Sequence, residues 1–452
     1  MDRALRRPIP TQTWLVAAFG AALCALAAHV GADARWFAAV GAAIAHTGAI
    51  PRSIPYASAP GLAWHDAPAL GQLAFHALES RLGDRGLILA QVLAVATALS
   101  AVAFDLERAK ARDGAGAAVL AACIVAVPAS FLVARAELYS LALFPVLVVL
   151  LRTETRRRTN GIWLAVPLLA LWANLHGGVL IGFALLAAYL VIERARREPL
   201  VSLGVLGASA AALLATPALL HTVDYYAGVL QGAASAEHYG LWAPLSFHDP
   251  LDVLLVALAL PLLVAALRRR PAAWEMAVLI AFGALTVDAH RNGLWLVLFA
   301  ATPAARAFGA GVPRPWLSRR VALVCLSVPV AMLVLGFVRP VPVDGAGEPL
   351  LREAAAAAHG APILAEPVAA EQLALRGDRI WIGNPLDAFA PREQRLYLDW
   401  LQGRPAGDAL LRGPAGVALV ERGSVAQRRL AASRSFHELA RDAHAVLYAR
   451  RS

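Results

Sequence analysis

Residues 31–78 read GADARWFAAVGAAIAHTGAIPRSIPYASAPGLAWHDAPALGQLAFHAL and lie between the first two long apolar segments of the chain. The stretch is too polar, and too often broken by proline and glycine, to cross a bilayer. It is also too regularly patterned with aromatic and aliphatic residues for an unstructured loop. We therefore interpret residues 31–84 as a structured external loop that carries the chemistry, held in place by the membrane spans around it.

Two interfacial amphipathic helices are predicted within this loop. The first covers residues 34–46, and its apolar face consists of Trp36, Phe37, Val40 and Ile44. The second covers residues 67–80, and its apolar face consists of Leu70, Leu73, Ala74 and Leu78. Asp33 precedes the first helix, and His65 and Asp66 precede the second. Capping of the helix N-termini is thus the structural alternative to a functional role for these side chains.

The composition is that of an α-helical polytopic membrane protein. Of the 452 residues, 59% are hydrophobic and 16% are charged, and the charged residues cluster between long apolar runs. The net charge of +10 comes from basic residues in short loops, which form no continuous basic face, so nucleic-acid binding is not expected. Cys24, Cys123 and Cys325 lie inside apolar segments without disulfide or metal-ligand spacing.

Apolar windows that cross, or nearly cross, a hydrocarbon core of ~30 Å predict about eleven transmembrane helices within residues 1–338. We place them at 13–31, 86–104, 114–133, 136–151, 161–174, 178–193, 200–220, 250–267, 272–287, 291–305 and 320–338.

Basic residues fall in alternate loops and so assign a sidedness to these spans. They predict a cytoplasmic N-terminus and an external C-terminus. The residues are Arg3, Arg6, Arg7, Arg108, Lys110, Arg112, Arg152, Arg156, Arg157, Arg158, Arg194, Arg196, Arg197, Arg268, Arg269, Arg270, Arg306, Arg314, Arg319 and Arg320. The opposite side collects titratable and aromatic residues, which predicts an outward-facing polar cavity. This set includes Asp33, His65, Asp66, Arg135, Glu137, Asn174, His176, Trp242, His290 and Arg291.

The composition changes from about Arg339. Pro340, Pro342 and Gly345 indicate a linker, and residues 339–452 alternate helical and strand-like patterns. Residues 392–401 have a helical pattern, and residues 417–420 and 445–448 are apolar runs typical of buried strands. This predicts a small C-terminal α/β domain outside the membrane.

Short motifs along the chain resemble those of the GT-C superfamily of bacterial membrane glycosyltransferases. The most specific is residues 172–178, WANLHGG, which are similar to the W-x-N-x-H-G-G signature of those proteins. Asp33, Trp36 and residues 48–51, GAIP, match their first external loop, which reads roughly D-x-W-W-H-L…G-x-I-P. Arg135 and the Tyr-Ser pair at 139–140 resemble their R-P-x-x-F-S turn, and residues 380–389 resemble a stretch of their external domain.

The resemblance implies a multi-span enzyme of the bacterial inner membrane. Such an enzyme transfers a hexosyl or pentosyl group, with inversion, from a polyprenyl-phosphate sugar to an acceptor on the periplasmic face. By position, Asp33 would be the general base. The donor or its phosphate would be bound by Arg135, Asn174, His176 and Arg291. Accessory candidates are His65, Asp66, Glu137 and Trp242.

Structural alternatives stand beside these roles. Asn174 and His176 close a short span, where side chains satisfy freed backbone groups. Arg135 and Glu137 could pair with each other within a tight turn. Trp172 and Trp242 are typical of the interfacial aromatic belt. A divalent cation between Asp33 and Asp66 stays open, because two carboxylates without further ligand spacing do not specify a metal.

Two other functions stay open. Phe37 and Ile54 stand where the family has histidine and aspartate, which favours a non-catalytic relative that binds lipid-linked sugar or a partner protein. A lipid or solute transporter is a further alternative. Ionisable residues near mid-span are almost absent, since Glu275 lies close to the inner end of its helix, and this argues against ion-coupled transport.

Overall fold

The computed structural model describes residues 11–62, 64–309, 319–342 and 345–451. Of the basic residues used to assign sidedness, Arg3, Arg6, Arg7 and Arg314 lie outside these ranges. The described chain has a helical part, up to residue 342, and a smaller mixed α/β tail from residue 345.

Each of the eleven predicted spans contains a helix. The helices of this part are α1 (Thr11–Ala27), α2 (Ala34–Thr47), α3 (Ala69–Leu82), α4 (Asp84–Arg108), α5 (Asp113–Ala126), α6 (Pro128–Leu132), α7 (Leu138–Arg156), α8 (Ala165–Leu175), α9 (Val179–Tyr189), α10 (Pro199–Leu213), α11 (Thr222–Gln231), α12 (Ala233–Ala236), α13 (Pro250–Arg268), α14 (Ala273–Asp288), α15 (Gly293–Phe308) and α16 (Arg319–Val338). Shorter helical turns lie at Asn160–Leu164, Leu190–Arg194, Leu219–His221, Gly240–Trp242 and His290–Asn292.

Among the described residues, three helices are long and apolar enough to cross a membrane, namely α4, α7 and α13. Shorter apolar helices are Gln12–Ala27, Asp113–Ala126, Asn160–Leu175, Pro199–Leu213 and Cys325–Val338. The third predicted span is broken in two, because α5 ends at Ala126 and Pro128, which has no backbone N–H, begins α6. The count of eleven spans stays a prediction.

Buried ion pairs tie the helix ends that carry the basic residues. Arg152 on α7 donates to Asp105 on α4 at 2.7 Å, to Glu275 on α14 at 2.8 Å and to the Phe299 carbonyl on α15 at 2.8 Å. Arg194 is 1% exposed and donates to Glu154 at 2.8 Å. These two arginines therefore join helices to one another, in addition to any effect on sidedness.

The first predicted loop helix, α2, forms as expected but faces a different partner. Trp36, Val40 and Ile44 are buried in one hydrophobic cluster with residues of the tail. This apolar face is covered by protein, so the prediction that it lies in the membrane interface is wrong. Phe37 packs edge-on against Phe75 at 5.8 Å.

The predicted apolar face of α3 is wrong. Its buried positions are Ala69, Gly71, Gln72 and Phe75, whereas Leu70 is 44% exposed. The physical reason is close backbone packing. A Cβ atom at Gly41 of α2 would lie 2.1 Å from the Gln72 carbonyl oxygen, and one at Gly71 would lie 2.3 Å from the Leu175 carbonyl oxygen. Small residues, more than leucines, therefore decide which face of α3 turns inward.

Two very short strands connect distant parts of the helical domain. β1 (His29–Val30) follows α1, and β2 (Val133–Ala134) follows α6. They pair in parallel, with Val30 opposite Ala134.

The tail is a small α/β unit, as predicted. Its strands are β3 (Ile363–Ala365), β4 (Val417–Glu421), β5 (Phe436–Arg441) and β6 (Ala445–Arg450). Their order in the sheet is β3-β4-β6-β5, with β3 parallel to β4 and the other pairs antiparallel. Its helices are α17 (Glu348–Ala358), α18 (Pro367–Leu375), α19 (Pro391–Leu401), α20 (Asp408–Leu411) and α21 (Val425–Ala432), with short turns at Leu386–Ala388 and Pro405–Gly407.

The first loop adds extended chain to this unit. Ile380 N–H donates to the Tyr56 carbonyl at 2.8 Å, and Leu62 N–H donates to the Ala388 carbonyl at 2.8 Å. Ile54 is 8% exposed and lies in the same hydrophobic cluster as the sheet. Loop and tail thus share one core, which fixes the tail over the loop.

Candidate active site

The two-stranded sheet of β1 and β2 positions two residues of the candidate site, Asp33 and Arg135. Because these strands are parallel, the chain leaves both of them in the same direction. Asp33 follows β1 and Arg135 follows β2. Arg135 Nη2 donates to Asp33 Oδ2 at 3.0 Å, although the two residues are 102 positions apart. Arg135 binds Asp33, so the alternative that it pairs only with Glu137 is wrong.

Asp33 does not cap α2. It holds the N-cap position, but its side chain makes no capping hydrogen bond and its backbone φ is 78°. Its N–H donates to both carboxylate oxygens of Glu371, at 2.8 and 2.9 Å. Its Oδ1 accepts from Asn384 Nδ2 at 2.8 Å. The carboxylate is therefore oriented by Arg135 and Asn384.

His176 is a neutral hydrogen-bond donor. Its Nδ1 is 2.7 Å from Ser140 Oγ and accepts from Gly178 N–H at 3.2 Å. Trp172 Nε1 donates to Ser140 Oγ at 2.8 Å, so the serine hydroxyl hydrogen points to the imidazole. This network assigns the ring proton to Nε2. Burial lowers the pKa of His176 to about 4.

Arg291 is a second cationic side chain near His176, besides Arg135. Its Nη2 lies 3.7 Å from Glu137 Oε1, and its guanidinium lies 5.0 Å from the centre of the Trp242 ring. The charges of Glu137, Arg291, Asp33 and Arg135 all act on the His176 imidazole. These groups therefore lie within electrostatic range of the imidazole, and we name the region between them the hollow.

Buried acidic groups lie near Tyr225, on which the charge of Asp33 also acts. Burial raises the pKa of Asp66 to about 7, opposed by a 2.8 Å hydrogen bond from Gln72 Nε2. Burial also raises the pKa of Asp387 to about 6, and the charge of Asp33 adds to the effect. Burial, followed by the charges of Asp387 and Asp66, raises the pKa of Tyr225 well above its usual value. A protonated carboxyl can donate as well as accept a hydrogen bond, which suits recognition of a hydroxyl-rich ligand.

A cavity of about 520 Å³ lies beside these acids, between α11–α12 and the tail. Its lining includes Asp224, Gln231, Glu237, Asp387 and Gln394. Asp387 therefore lines the cavity and also lies close enough to Asp33 for its pKa to be raised by the Asp33 charge.

Two motif residues have structural contacts. Asn174 Nδ2 donates to the carbonyl of Ala170, within α8, at 2.8 Å and to that of Ala215, just past α10, at 2.7 Å. The second bond satisfies a backbone group at the end of α10. Trp172 is fully buried, so the prediction that it belongs to an interfacial belt is wrong.

His65 and Asp66 do not cap α3, because Pro68 holds the N-cap position. His65 stacks on His221, with ring centres 4.1 Å apart and planes 7° apart. With Asp224, these histidines are the one group of three side chains in the described parts of the chain that could hold a metal ion. Parallel stacked imidazoles do not aim their lone pairs at one point, so the rings would have to turn. Asp33 and Asp66 belong to no such group of three among the described residues, and a cation between these two alone stays open.

Several site residues were missed in the sequence. Asn384 and Asp387 lie within residues 380–389, so the resemblance of that stretch could have identified them. Glu371 carries no such signal, because it lies within α18 and reaches Asp33 only through tertiary packing.

Known structures share this architecture. Arabinofuranosyltransferase AftD from mycobacteria matches with a TM-score of 0.53 and 14% identity, over 96% of this chain and 41% of its own. ArnT from Cupriavidus metallidurans, solved bound to undecaprenyl phosphate, matches with a TM-score of 0.53 and 15% identity over 97% of both chains. Its apo form matches with a TM-score of 0.52 and 14% identity over 96% of both.

The chain spans about two fifths of the length of AftD and nearly all of ArnT. No protein-family model matches the sequence, and no curated protein matches it. AftD and ArnT are both glycosyltransferases of the GT-C superfamily. This chain therefore has the GT-C fold, at low sequence identity, as the short motifs implied.

Proposed function

We propose that this protein is an inverting membrane glycosyltransferase that takes a sugar from a polyprenyl-phosphate donor. The observation that carries the proposal is the Asp33 carboxylate, held by Arg135 at 3.0 Å in the same hollow as His176 and Arg291. A base next to anion-binding donors is what transfer from a lipid phosphate to a hydroxyl requires. The fold shared with ArnT, which was solved bound to undecaprenyl phosphate, supports this donor class.

In the proposed reaction, Asp33 takes the proton of an acceptor hydroxyl. The hydroxyl oxygen forms a bond to the anomeric carbon on the face opposite the phosphate, and the carbon–oxygen bond to the phosphate breaks. The phosphate leaves with the bonding electron pair. Arg135, Arg291 and the Nε2–H of His176 stabilise its charge. Arg135 Nε is buried without a hydrogen-bond partner among the described residues, a condition that a phosphate oxygen would relieve.

The acidic side of the hollow is the proposed acceptor side. Asp66, Asp387 and Tyr225 lie around it, and the adjoining cavity gives a route from solvent between α11–α12 and the tail. We place this side in the periplasm of a bacterial inner-membrane protein, with the N-terminus in the cytoplasm. Reporter fusions to the C-terminus test this sidedness, since an external reporter is expected to be active only outside the cytoplasm.

The direct test uses purified protein, polyprenyl-phosphate sugars and a panel of glycoside acceptors. Asp33→Asn is expected to lower transfer by roughly 10²- to 10⁴-fold, the usual contribution of a general base. The matched control is Asp249→Asn, an external carboxylate that caps α13 through Leu251 N–H at 2.8 Å. Full transfer by Asp33→Asn would remove Asp33 from the mechanism.

A non-catalytic lipid-sugar-binding protein is the second candidate. It is favoured by Ile54, which is buried in the core shared by loop and tail, and by Phe37, which packs on Phe75. These apolar side chains replace two polar family positions with packing residues. Donor binding without turnover by the wild type, across all donors and acceptors, would support this candidate over the enzyme.

A further inference from the structure

The surroundings of Asp33 are completed by the tail, more than 300 positions away in the sequence. Asn384 Nδ2 donates to Asp33 Oδ1 at 2.8 Å and to Glu371 Oε1 at 2.7 Å. Because an amide nitrogen carries two hydrogens, this one group can serve both carboxylates at once. Glu371 in turn accepts the Asp33 N–H with both of its oxygens.

These contacts surround Asp33 in a backbone conformation with positive φ. A φ of 78° lies in the left-handed region, which is uncommon for residues other than glycine. Such conformations persist where the surroundings over-determine them. Here the Asp33 N–H is held by Glu371, and its two side-chain oxygens are held by Asn384 and Arg135.

Burying Glu371 beside Asp33 lowers the stability of the fold. Glu371 is 2% exposed, and burial together with the nearby Asp33 carboxylate raises its pKa. A buried carboxyl next to a second, partly exposed carboxylate lowers stability, and an apolar residue at position 371 would pack there without that cost. The hydrogen bonds all converge on one residue, Asp33, which is the proposed base.

We propose that Glu371 and Asn384 are positioning residues that fix the Asp33 carboxylate in its reactive orientation. The tail is then part of the catalytic unit, because among the described residues the Asp33 carboxylate has one hydrogen bond from outside the tail, that of Arg135. This inference rests on the proposed function for the role of Asp33, while the contacts themselves can be tested without it.

The kinetic test uses Asn384→Ala and Glu371→Gln, each measured for turnover and for affinity toward undecaprenyl phosphate. We expect turnover to fall by roughly 10- to 100-fold, the equivalent of one hydrogen bond to a charged group, with lipid affinity changed less than about twofold. The matched control is Glu366→Gln. Glu366 is another buried tail glutamate that accepts a backbone N–H, from Glu421, and has no contact with Asp33.

Additivity separates positioning from a general effect on the fold. In an Asp33→Asn background, Asn384→Ala should cause little further loss of turnover, because Asn384 acts through Asp33. An equal loss in both backgrounds, or wild-type turnover in Asn384→Ala, would overturn the inference. Asn384 is partly exposed, so Asn384→Ala alone decides the matter if Glu371→Gln does not fold.

A thermal-unfolding cycle in detergent tests the contacts independently of activity. Asp33→Ala and Asn384→Ala are expected to lower the apparent Tm by less together than the sum of their separate effects. Additive Tm changes would overturn the inference even in an active enzyme. Coupled Tm changes in a wild type that transfers no sugar would instead reject the proposed function and leave the positioning contacts supported.

Discussion

Replacing Ser140 by alanine should damage both the fold and the proposed lipid-phosphate site, because its hydroxyl links two side chains. The oxygen accepts from Trp172 Nε1 at 2.8 Å, and the hydroxyl lies 2.7 Å from His176 Nδ1. Ser140 and Trp172 are both fully buried, so no water replaces the lost partner. Leaving the indole N–H unsatisfied costs about 1–3 kcal/mol, and the lost serine–histidine bond about 1 kcal/mol more.

The expected result is a loss of about 3 kcal/mol in the free energy of unfolding, or an apparent Tm lower by roughly 3–6 °C. His176 would keep only the 3.2 Å hydrogen bond from Gly178, so its Nε2–H would no longer be directed into the hollow. Affinity for undecaprenyl phosphate should then fall by about fivefold, the equivalent of about 1 kcal/mol. Scanning calorimetry and lipid titration in detergent measure the two effects.

Ser209→Ala is the matched control. Its hydroxyl is buried in α10 and has no hydrogen-bond partner among the described residues, so its removal should leave the Tm unchanged or raised. If Ser140→Ala and Ser209→Ala cannot be distinguished in either assay, the assigned network and the His176 tautomer are wrong.

Two further predictions concern stability. Burial raises the pKa of Glu366 from 4.5 to about 7. Its stability contribution is therefore complete below pH 4.5 and is lost as the pH rises toward 7. Glu366→Gln should raise the free energy of unfolding relative to wild type by up to about 3 kcal/mol at pH 8, measured as a higher Tm, but not at pH 4.5. A pH-independent difference would contradict this. Gly41→Ala should destabilise the α2–α3 contact by about 1–3 kcal/mol, because its Cβ would meet a backbone oxygen at 2.1 Å. Gly207→Ala, with open space around it, should be neutral or stabilising, and equal Tm values for the two glycine variants would show that the close contact does not matter.

Hydropathy predicted the helical part well because it is a local property. Each apolar window contains a helix, although the third is broken in two, since a helix satisfies its own backbone without reference to distant residues. The faces of the loop helices were harder. Leu70 is exposed and Gly71 is buried because glycine permits contact with the Leu175 backbone, which no hydrophobic pattern encodes.

The candidate site, too, was predicted from the sequence only in part. Asp33 and Arg135 were predicted on one side of the membrane, and the structure brings them into contact through a sheet of two residues per strand. Strands that short leave no pattern in the sequence. Glu371 was beyond prediction because nothing near it in the chain indicates that α18 would reach the first loop.

The sheet of β1 and β2 also bears on how the protein responds to its lipid surroundings. Val30 and Ala134 are joined in register, and Gly31 N–H donates to the Ala134 carbonyl at 3.0 Å. Helices tilt to match thinner or thicker bilayers. When α1 or α6 tilts, the linked strands move as one piece, and Asp33 and Arg135 move with them. We therefore expect the spacing of this ion pair to change little with lipid composition.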